Sequence, residues 1–276
     1  MTYKTLLVAV DCGSDSDTRV SLACDLASGM DAHLIGACAV SLSIPPMDDP
    51  YTGGAMVGEA LTLFRDLAEA DLRAALTRFH TSVGGRRNQT EWRGRLGLPA
   101  DLIVHEARAA DLVILGRRPA KAVAGGVDPA DVLMAAGRPV LVVPPQPERD
   151  PTGWPAVLAW KDSREAQRAA AAALPLLRHA SMVHVVEIHD GDAEAPAART
   201  ADVAAWLGRH GIAAEAHTRV TGTGGVARNI QDFAADRGAG LIVAGGYGHA
   251  RLREWALGGV THELLASSSV CVLLSH

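Results

Sequence analysis

Short aliphatic runs that alternate with helical segments occur in the same order twice along this chain of 276 residues. The first half opens with the run 5–10 and the second half with the run 156–160, and a polar turn and a helical pattern follow each of them. A second aliphatic run comes next in both halves, at 32–40 and at 182–188. Apolar runs of strand length that alternate with helices are typical of a parallel sheet covered on both faces. The sequence therefore predicts two α/β domains of similar plan.

The boundary between the two halves lies in a proline-rich stretch. Five prolines fall within residues 144–155, and proline removes backbone donors and disfavours regular structure. We therefore predict a linker between domains 1–147 and 154–276. An irregular insertion is predicted over 41–58, and its composition fits a lid, a partner-binding loop or a solvated connector. The other predicted elements are helices over 18–28, 59–81, 101–108, 164–177, 226–237 and 260–266, and strands over 110–116, 138–144, 240–245 and 269–274.

Composition and charge exclude several classes of function. Hydrophobic residues make up 48% of the chain and charged residues 21%, which is ordinary for a globular protein with two cores. The net charge is −5 and the longest basic runs are two arginine pairs. The sequence therefore lacks the clustered basic residues that are typical of nucleic-acid-binding proteins. The longest apolar run, 169–177, is too short to span a membrane. No signal-peptide pattern precedes the first strand, and we expect a cytoplasmic protein.

The cysteines and histidines show no metal-binding or catalytic pattern. The four cysteines, Cys12, Cys24, Cys38 and Cys271, lack C-x-x-C spacing, so we expect buried, reduced thiols. The eleven histidines show no H-x-x-x-H pair and no cysteine partner at ligand spacing, which gives a metal site little support. The sequence contains no G-x-S-x-G motif, and we predict no catalytic residue.

A glycine-rich loop follows an apolar strand in the second half. Gly245, Gly246 and Gly248 come after the apolar run 241–244, and Gly258-Gly259 precede the helical run from Val260. Glycines at both turns let the backbone approach a ligand, and the free N–H groups at a helix start attract anions. A lone glycine cluster would indicate only a strand-to-helix turn. The second glycine pair favours a phosphate cradle.

These glycines resemble the nucleotide-binding motif of the universal stress protein family, G-x2-G-x9-G-[ST]. Gly245, Gly248 and Gly258 match its three glycines. Gly259 stands at the Ser/Thr position and Thr261 follows two residues later, so the hydroxyl that family members offer to the phosphates is missing or displaced. The resemblance covers nearly the whole chain, because the pattern of one family domain fits it twice.

The resemblance implies a fold and a site. It implies two doubly wound, Rossmann-like α/β domains, related to the adenine-nucleotide α-hydrolases, that pack as a pseudo-dimer through the strands 140–143 and 270–274. The ligand would lie outside the carboxyl ends of the strands, where the strand order reverses. It would be ATP or a related nucleotide, with or without magnesium, in the C-terminal half. The residues implied to contact it are Trp160, Lys161, Asp162, Val185, Gly245, Gly246, Gly248, His249, Gly258, Gly259, Val260 and Thr261.

The first half departs from the motif. It reads Gly116-Arg117-Arg118-Pro119 at the corresponding place, and the proline, which stands where the family has its second glycine, supplies neither a positive φ nor an N–H. Asp128 stands at the start of the next helix, where it would cap the helix and repel a phosphate. Asp11 matches the acidic residue with which family members meet the nucleoside, and the second half has Lys161 there. We weight the blocked loop more heavily and expect the first half to hold no nucleotide.

Two further groups of residues have open roles. His249, Arg251 and Arg253 lie in the phosphate loop, where they would either offset the charge of a ligand or form a solvated face. Thr221, Thr223 and the following glycine pair match the place where family members meet ribose, and they also suit a plain helix cap.

Three functions are compatible with these features. The first is a cytoplasmic, nucleotide-binding regulator of the stress response, whose regulatory protein partner is unknown. The second is a nucleotide-free scaffold or a binder of another small molecule. The third is an adenylating enzyme, but related catalytic families show S-G-G-x-D-S or H-x-G-H after the first strand, and residues 11–14 and 161–163 match neither. We favour the first and expect nucleotide binding with little turnover.

Overall fold

A computed structural model of the chain describes residues 2–13, 15–42, 54–117, 126–247 and 259–276. These residues form ten β-strands and eight α-helices. The strands are β1 (Thr5–Ala9), β2 (His33–Val40), β3 (Thr90–Leu96), β4 (Leu112–Gly116), β5 (Val140–Val143), β6 (Ala156–Ala159), β7 (Val183–His189), β8 (Ala214–Val220), β9 (Leu241–Gly245) and β10 (Cys271–Ser275). The helices are α1 (Asp15–Met30), α2 (Gly54–Val83), α3 (Pro99–Glu106), α4 (Pro129–Ala135), α5 (Arg164–Leu177), α6 (Glu194–Arg209), α7 (Gly225–Asp236) and α8 (Val260–Ser267).

All ten strands belong to one sheet, in the order β3-β2-β1-β4-β5-β10-β9-β6-β7-β8. Within each half the neighbouring strands are parallel. The order is the same in the two halves, and it reverses between β1 and β4 in the first half and between β6 and β9 in the second. The structure therefore confirms the predicted pair of doubly wound, Rossmann-like α/β domains.

The two halves meet through their last strands. Strands β5 and β10 pair antiparallel, with Leu141 opposite Leu273, and both side chains are fully buried. The Tyr3 hydroxyl of the first half also donates a hydrogen bond of 2.6 Å to the Ala172 carbonyl of α5. The strand pairing that the family resemblance implied is therefore present, and it makes one continuous sheet from two domains.

Apolar side chains cover both faces of this sheet because successive residues of a strand point to opposite sides. In β1, Leu6 and Val8 face one core while Leu7 and Ala9 face the other. The close packing also selects small residues. A Cβ added to Gly36 in β2 would lie 2.5 Å from the ring of Phe79 in α2. The Phe79 ring therefore occupies the space that a side chain at position 36 would need, and α2 packs closely on the sheet there.

Three elements were not predicted: the edge strands β3 and β8, and helix α6. Strand β8 has the sequence AEAHTRV and strand β3 the sequence TEWRGRL, and neither contains a continuous apolar run. Both strands pair with a neighbour on one side only. Their polar side chains reach solvent, as edge strands permit.

Helix α2 begins at Gly54, five residues before the predicted start at Glu59. The predicted insertion 41–58 therefore contains the first helical turn, and residues 43–53 lie outside the described residues. Although α2 is 30 residues long, no helix of the described segments is long and apolar enough to cross a membrane.

The cysteines are free thiols, and three of them are buried as expected. Burial raises the pKa of Cys38 and of Cys271 to about 12. Cys12 corrects the prediction, because it is exposed. It lies in the turn after β1, and its Sγ donates to the Asp71 carbonyl at 3.4 Å.

Candidate functional site

The predicted site lies at the carboxyl ends of β6 and β9, where the strand order of the second half reverses. Ala159 is in register with Ala244, so the residues that follow them, Trp160 and Gly245, begin the two loops side by side. Such a reversal leaves a crevice at which ligands of doubly wound sheets bind. The structure thus places 160–162, 245–247 and the start of α8 at one end of the sheet, and Gly248, His249 and Gly258 lie outside the described residues.

Packing requires a glycine at position 245 and leaves little room for a side chain at position 246. A Cβ on Gly245 would lie 2.6 Å from the backbone nitrogen of Ala166, in the first turn of α5. A Cβ on Gly246 would lie 2.7 Å from the side chain of Leu133 in the first half. The N–H of Gly246 donates to the Ser275 carbonyl at 2.9 Å, so this predicted phosphate donor is already engaged in the fold.

Thr261 links the glycine loop to helix α8. Its hydroxyl oxygen accepts a hydrogen bond of 3.2 Å from the N–H of Tyr247, which has the uncommon positive φ of 52°. Thr261 is buried. Because a hydroxyl that accepts a hydrogen bond keeps its own proton to donate, Thr261 both fixes the start of the loop and retains a donor.

Helix α8 begins at a residue that cannot cap it. Its N-cap residue is Gly259, with φ −63° and ψ 160°, and glycine has no side chain with which to accept from the first N–H groups of a helix. Val260 follows it and is partly exposed. Uncapped N–H groups and the helix dipole make such an end attractive to an anion.

The turn after β6 contributes an aromatic ring and two exposed charges. The backbone N–H of Trp160 continues the strand pairing by donating to the Val186 carbonyl at 2.8 Å. Its indole N–H is buried and donates to no acceptor within the described part of the chain, which is unusual for a buried polar group. Lys161 and Asp162 are exposed, and Ser163 caps α5 by accepting from the N–H of Ala166.

Strand β7 carries the predicted Val185 and, nearer its carboxyl end, a glutamate. Val185 is fully buried, and its register places it between Leu158 of β6 and Ala216 of the edge strand β8, so its side chain has no exposed surface to offer a ligand. Nearer the carboxyl end, buried Glu187 accepts hydrogen bonds of 2.5 and 3.0 Å from Arg199 of α6. These bonds raise the pKa of Arg199. A single glutamate near the end of an apolar strand was the only sequence signal for this pair.

Comparison with known proteins identifies the family. The sequence model of the universal stress protein family matches residues 2–144 and again 155–276. The chain belongs to the universal stress protein family. The two successive matches make it a tandem member with two such domains.

Solved structures support the fold of this tandem universal stress protein. It is similar to a universal stress protein from Archaeoglobus fulgidus DSM 4304, with a TM-score of 0.71 and 17% identity, over 98% of this chain and 95% of that chain. It is also similar to a protein of unknown function from Pseudomonas aeruginosa PAO1, with a TM-score of 0.54 and 17% identity, over 99% of this chain and 92% of that one. At these identities the likeness concerns the fold. No curated protein matches the sequence.

The first domain of this universal stress protein has a filled crevice at the equivalent place. The buried Arg19 of α1 donates to the Ala9 carbonyl at 2.7 Å and to the Asp11 carboxylate at 2.6 Å. Its guanidinium lies directly against Gly116 at the end of β4, where a Cβ would collide with it. Asp11, the predicted nucleoside contact, is thus paired with an internal cation between β1 and β4.

The helix that follows in the first domain is capped by its own side chain. Asp128 accepts a hydrogen bond of 3.0 Å from the N–H of Ala130 at the start of α4, which confirms the predicted cap. Pro119 lies outside the described residues. The two domains therefore differ at the helix that each presents to its crevice: α4 begins at an aspartate cap, and α8 begins at Gly259.

Proposed function

We propose that this universal stress protein binds ATP or a related nucleotide in its C-terminal domain, one per chain, and acts as a regulator in the response to stress. The observation that carries the proposal is the difference between the two crevices. Arg19 fills the first one and Asp128 caps the helix beside it. The second has an uncapped helix at Gly259 and a buried indole N–H at Trp160 that donates to no acceptor in the described segments.

Each part of the second crevice has a role in this proposal. The first N–H groups of α8 and the motif glycines Gly248 and Gly258 would bind the phosphates, and His249 and Lys161 would offset their charge. Gly245 and Gly246 would act indirectly, since packing and the bond to Ser275 already occupy them. Trp160 would supply an apolar surface and a donor for the nucleoside. These groups bind and orient a ligand, so we propose stoichiometric binding with little turnover.

Restoring the family hydroxyl at position 259 tests the proposal. Gly259 has φ −63° and ψ 160°, a conformation open to any residue, so Gly259→Ser introduces no backbone strain. A serine at this N-cap can accept from an N–H of α8 and still donate its own proton to a phosphate. One such hydrogen bond to a charged phosphate is worth about 1.5–3 kcal/mol, so we expect nucleotide affinity to rise by up to roughly a hundredfold. Equilibrium titration with a fluorescent ATP analogue measures the change.

Gly259→Ala is the matched control, because it adds the same Cβ without the hydroxyl. The alanine variant is expected to bind no more tightly than the original protein. Equal affinities for serine and alanine would mean that position 259 does not face the phosphates. Absence of binding in all three proteins would refute the nucleotide function and favour the scaffold.

A further inference from the structure

Three potential metal ligands lie together on the outer strands of the C-terminal domain, away from the nucleotide crevice. His184 is on β7, and Glu215 and His217 are on β8. His184 is in register with Glu215, and Val186 with His217, so all three side chains lie on the same face of the sheet. Helix α7 covers this face, and its buried Phe233 contacts both imidazole rings.

The three ligand atoms form a nearly regular triangle. The Nδ1 of His184 lies 3.1 Å from the Nε2 of His217, and the Oε2 of Glu215 lies 3.5 Å from each of these nitrogens. Zinc binds imidazole nitrogen and carboxylate oxygen at about 2.0–2.2 Å, and tetrahedral geometry then separates two ligand atoms by roughly 3.3–3.6 Å. An ion placed above the triangle would reach all three atoms with only small movements.

Both imidazoles are largely shielded from solvent. The His184 side chain is 8% exposed and the His217 side chain 20%. Burial lowers the pKa of both histidines, and the nearby Arg237 lowers it further, although Glu215 acts in the opposite direction. Neutral imidazole offers a lone pair to a metal.

Two arginines beside the site, Arg219 and Arg237, interact with residues of helix α7. Arg219, which also lowers the pKa of His217, pairs with Asp236 of α7 at 3.0 Å. The guanidiniums of Arg219 and Arg237 lie over the ring of Phe233, 4.7 and 5.2 Å from its centroid. Both are therefore placed over an aromatic ring, and Arg219 has a carboxylate partner that reduces its repulsion of a bound ion.

The geometry points to a binding site for one divalent transition-metal ion, Zn²⁺, held by His184, Glu215 and His217. Two imidazoles and one carboxylate favour zinc or copper over magnesium, which prefers oxygen ligands. The Glu215 side chain is 52% exposed, so solvent reaches the site and a water molecule can take the fourth position. Three protein ligands and one open position form a recurrent arrangement for zinc.

The first domain provides an internal comparison. Alignment of the two domains on their strand registers places Ile35, Glu91 and Arg93 at the positions of His184, Glu215 and His217. Arg93 donates hydrogen bonds of 2.8 and 3.0 Å to the carboxylate of Glu91. The same fold thus has an ion pair at this position in one domain and two histidines, one buried and one half-buried, in the other.

Zinc binding to the untagged full-length protein tests the site. After treatment with EDTA, the protein is titrated with Zn²⁺ at pH 7.5 in competition with a colorimetric chelator, and we expect one ion per chain. His217→Arg installs the side chain of the first domain in a fold known to accept it, and we expect zinc affinity to fall roughly a hundredfold or more. Glu215→Gln changes an exposed residue and should also weaken binding. His105→Ala, an exposed histidine of the first domain, is the matched control and should leave affinity unchanged.

Two independent readouts accompany the titration. Co²⁺ should give the visible absorption of a four-coordinate ion in the original protein and in His105→Ala, and lose it in His217→Arg. Protonation of the histidines competes with metal, so binding should weaken as the pH falls. Circular dichroism checks that the variants fold. Failure of the original protein to compete with the chelator, or equal zinc uptake by folded His217→Arg, would overturn the proposal.

Discussion

Replacing Leu273 with aspartate is expected to lower the free energy of unfolding by more than about 4 kcal/mol, enough to unfold much of the protein. Leu273 is fully buried in β10 opposite Leu141 of β5, so the new carboxylate would be buried without a partner in the strand pair that joins the two domains. Urea denaturation followed by circular dichroism measures the loss.

Leu63→Asp is the control for this experiment. Leu63 is 58% exposed on helix α2, and a surface change of this kind is expected to alter stability by no more than about 0.5 kcal/mol. If Leu273→Asp unfolded at the same urea concentration as the original protein, the continuous ten-stranded sheet would be wrong.

Gly248→Val is expected to abolish nucleotide binding, with a loss of more than roughly a hundredfold, while the protein stays folded. Gly248 matches the second glycine of the family motif, and a branched side chain there removes access to positive φ and occupies space that the phosphates need. Equilibrium titration of the folded variant with ATP measures the effect.

Pro119→Val provides the matched control, because it makes the same replacement at the corresponding position of the first domain. We expect its affinity for ATP to equal that of the original protein. Unchanged affinity in a folded Gly248→Val variant would show that the glycine loop is only a turn. Loss of affinity in Pro119→Val would show that the first domain takes part in binding.

The parts of the fold that the sequence predicts are those with local signals. Strands such as β4 and β9 are buried on both faces, so each is a continuous apolar run, bounded by charged residues in β4 and by glycines in β9. Helix α5 was predicted with its observed bounds, because the polar turn 161–163 precedes it and a long alanine-rich pattern follows. Edge strands β3 and β8 have a polar pattern, and their pairing is decided by a neighbouring strand that lies far away in sequence.

The sequence predicts where the glycine loop lies, and the structure supplies the contacts around it. The glycine motif correctly marks the end of β9, but the reasons for Gly245 and Gly246 lie in the backbone of α5 and in Leu133 of the other domain. The filling of the first crevice by Arg19 depends in the same way on a long side chain reaching across two strands. Contacts of this kind arise only when distant segments pack, so no local pattern announces them.

The cluster of His184, Glu215 and His217 also could not be found from local sequence patterns. A search for two histidines one helical turn apart finds nothing, because His184 and His217 lie on adjacent strands and are 33 residues apart. Only the register of β7 on β8 brings them together. The sequence-based expectation that a metal site has little support rested on helical histidine spacing and on the lack of a cysteine at ligand spacing, and neither criterion detects ligands on adjacent strands.

Calorimetric titration of the original protein with ATP, with and without Mg²⁺, tests the central claim most directly. The claim is that the uncapped crevice of the C-terminal domain binds nucleotide and the Arg19-filled crevice of the first domain does not. The expected result is saturable binding with one nucleotide per chain. Two nucleotides per chain would contradict the assignment of the first domain, and no heat of binding at millimolar ATP in either condition would contradict nucleotide binding altogether.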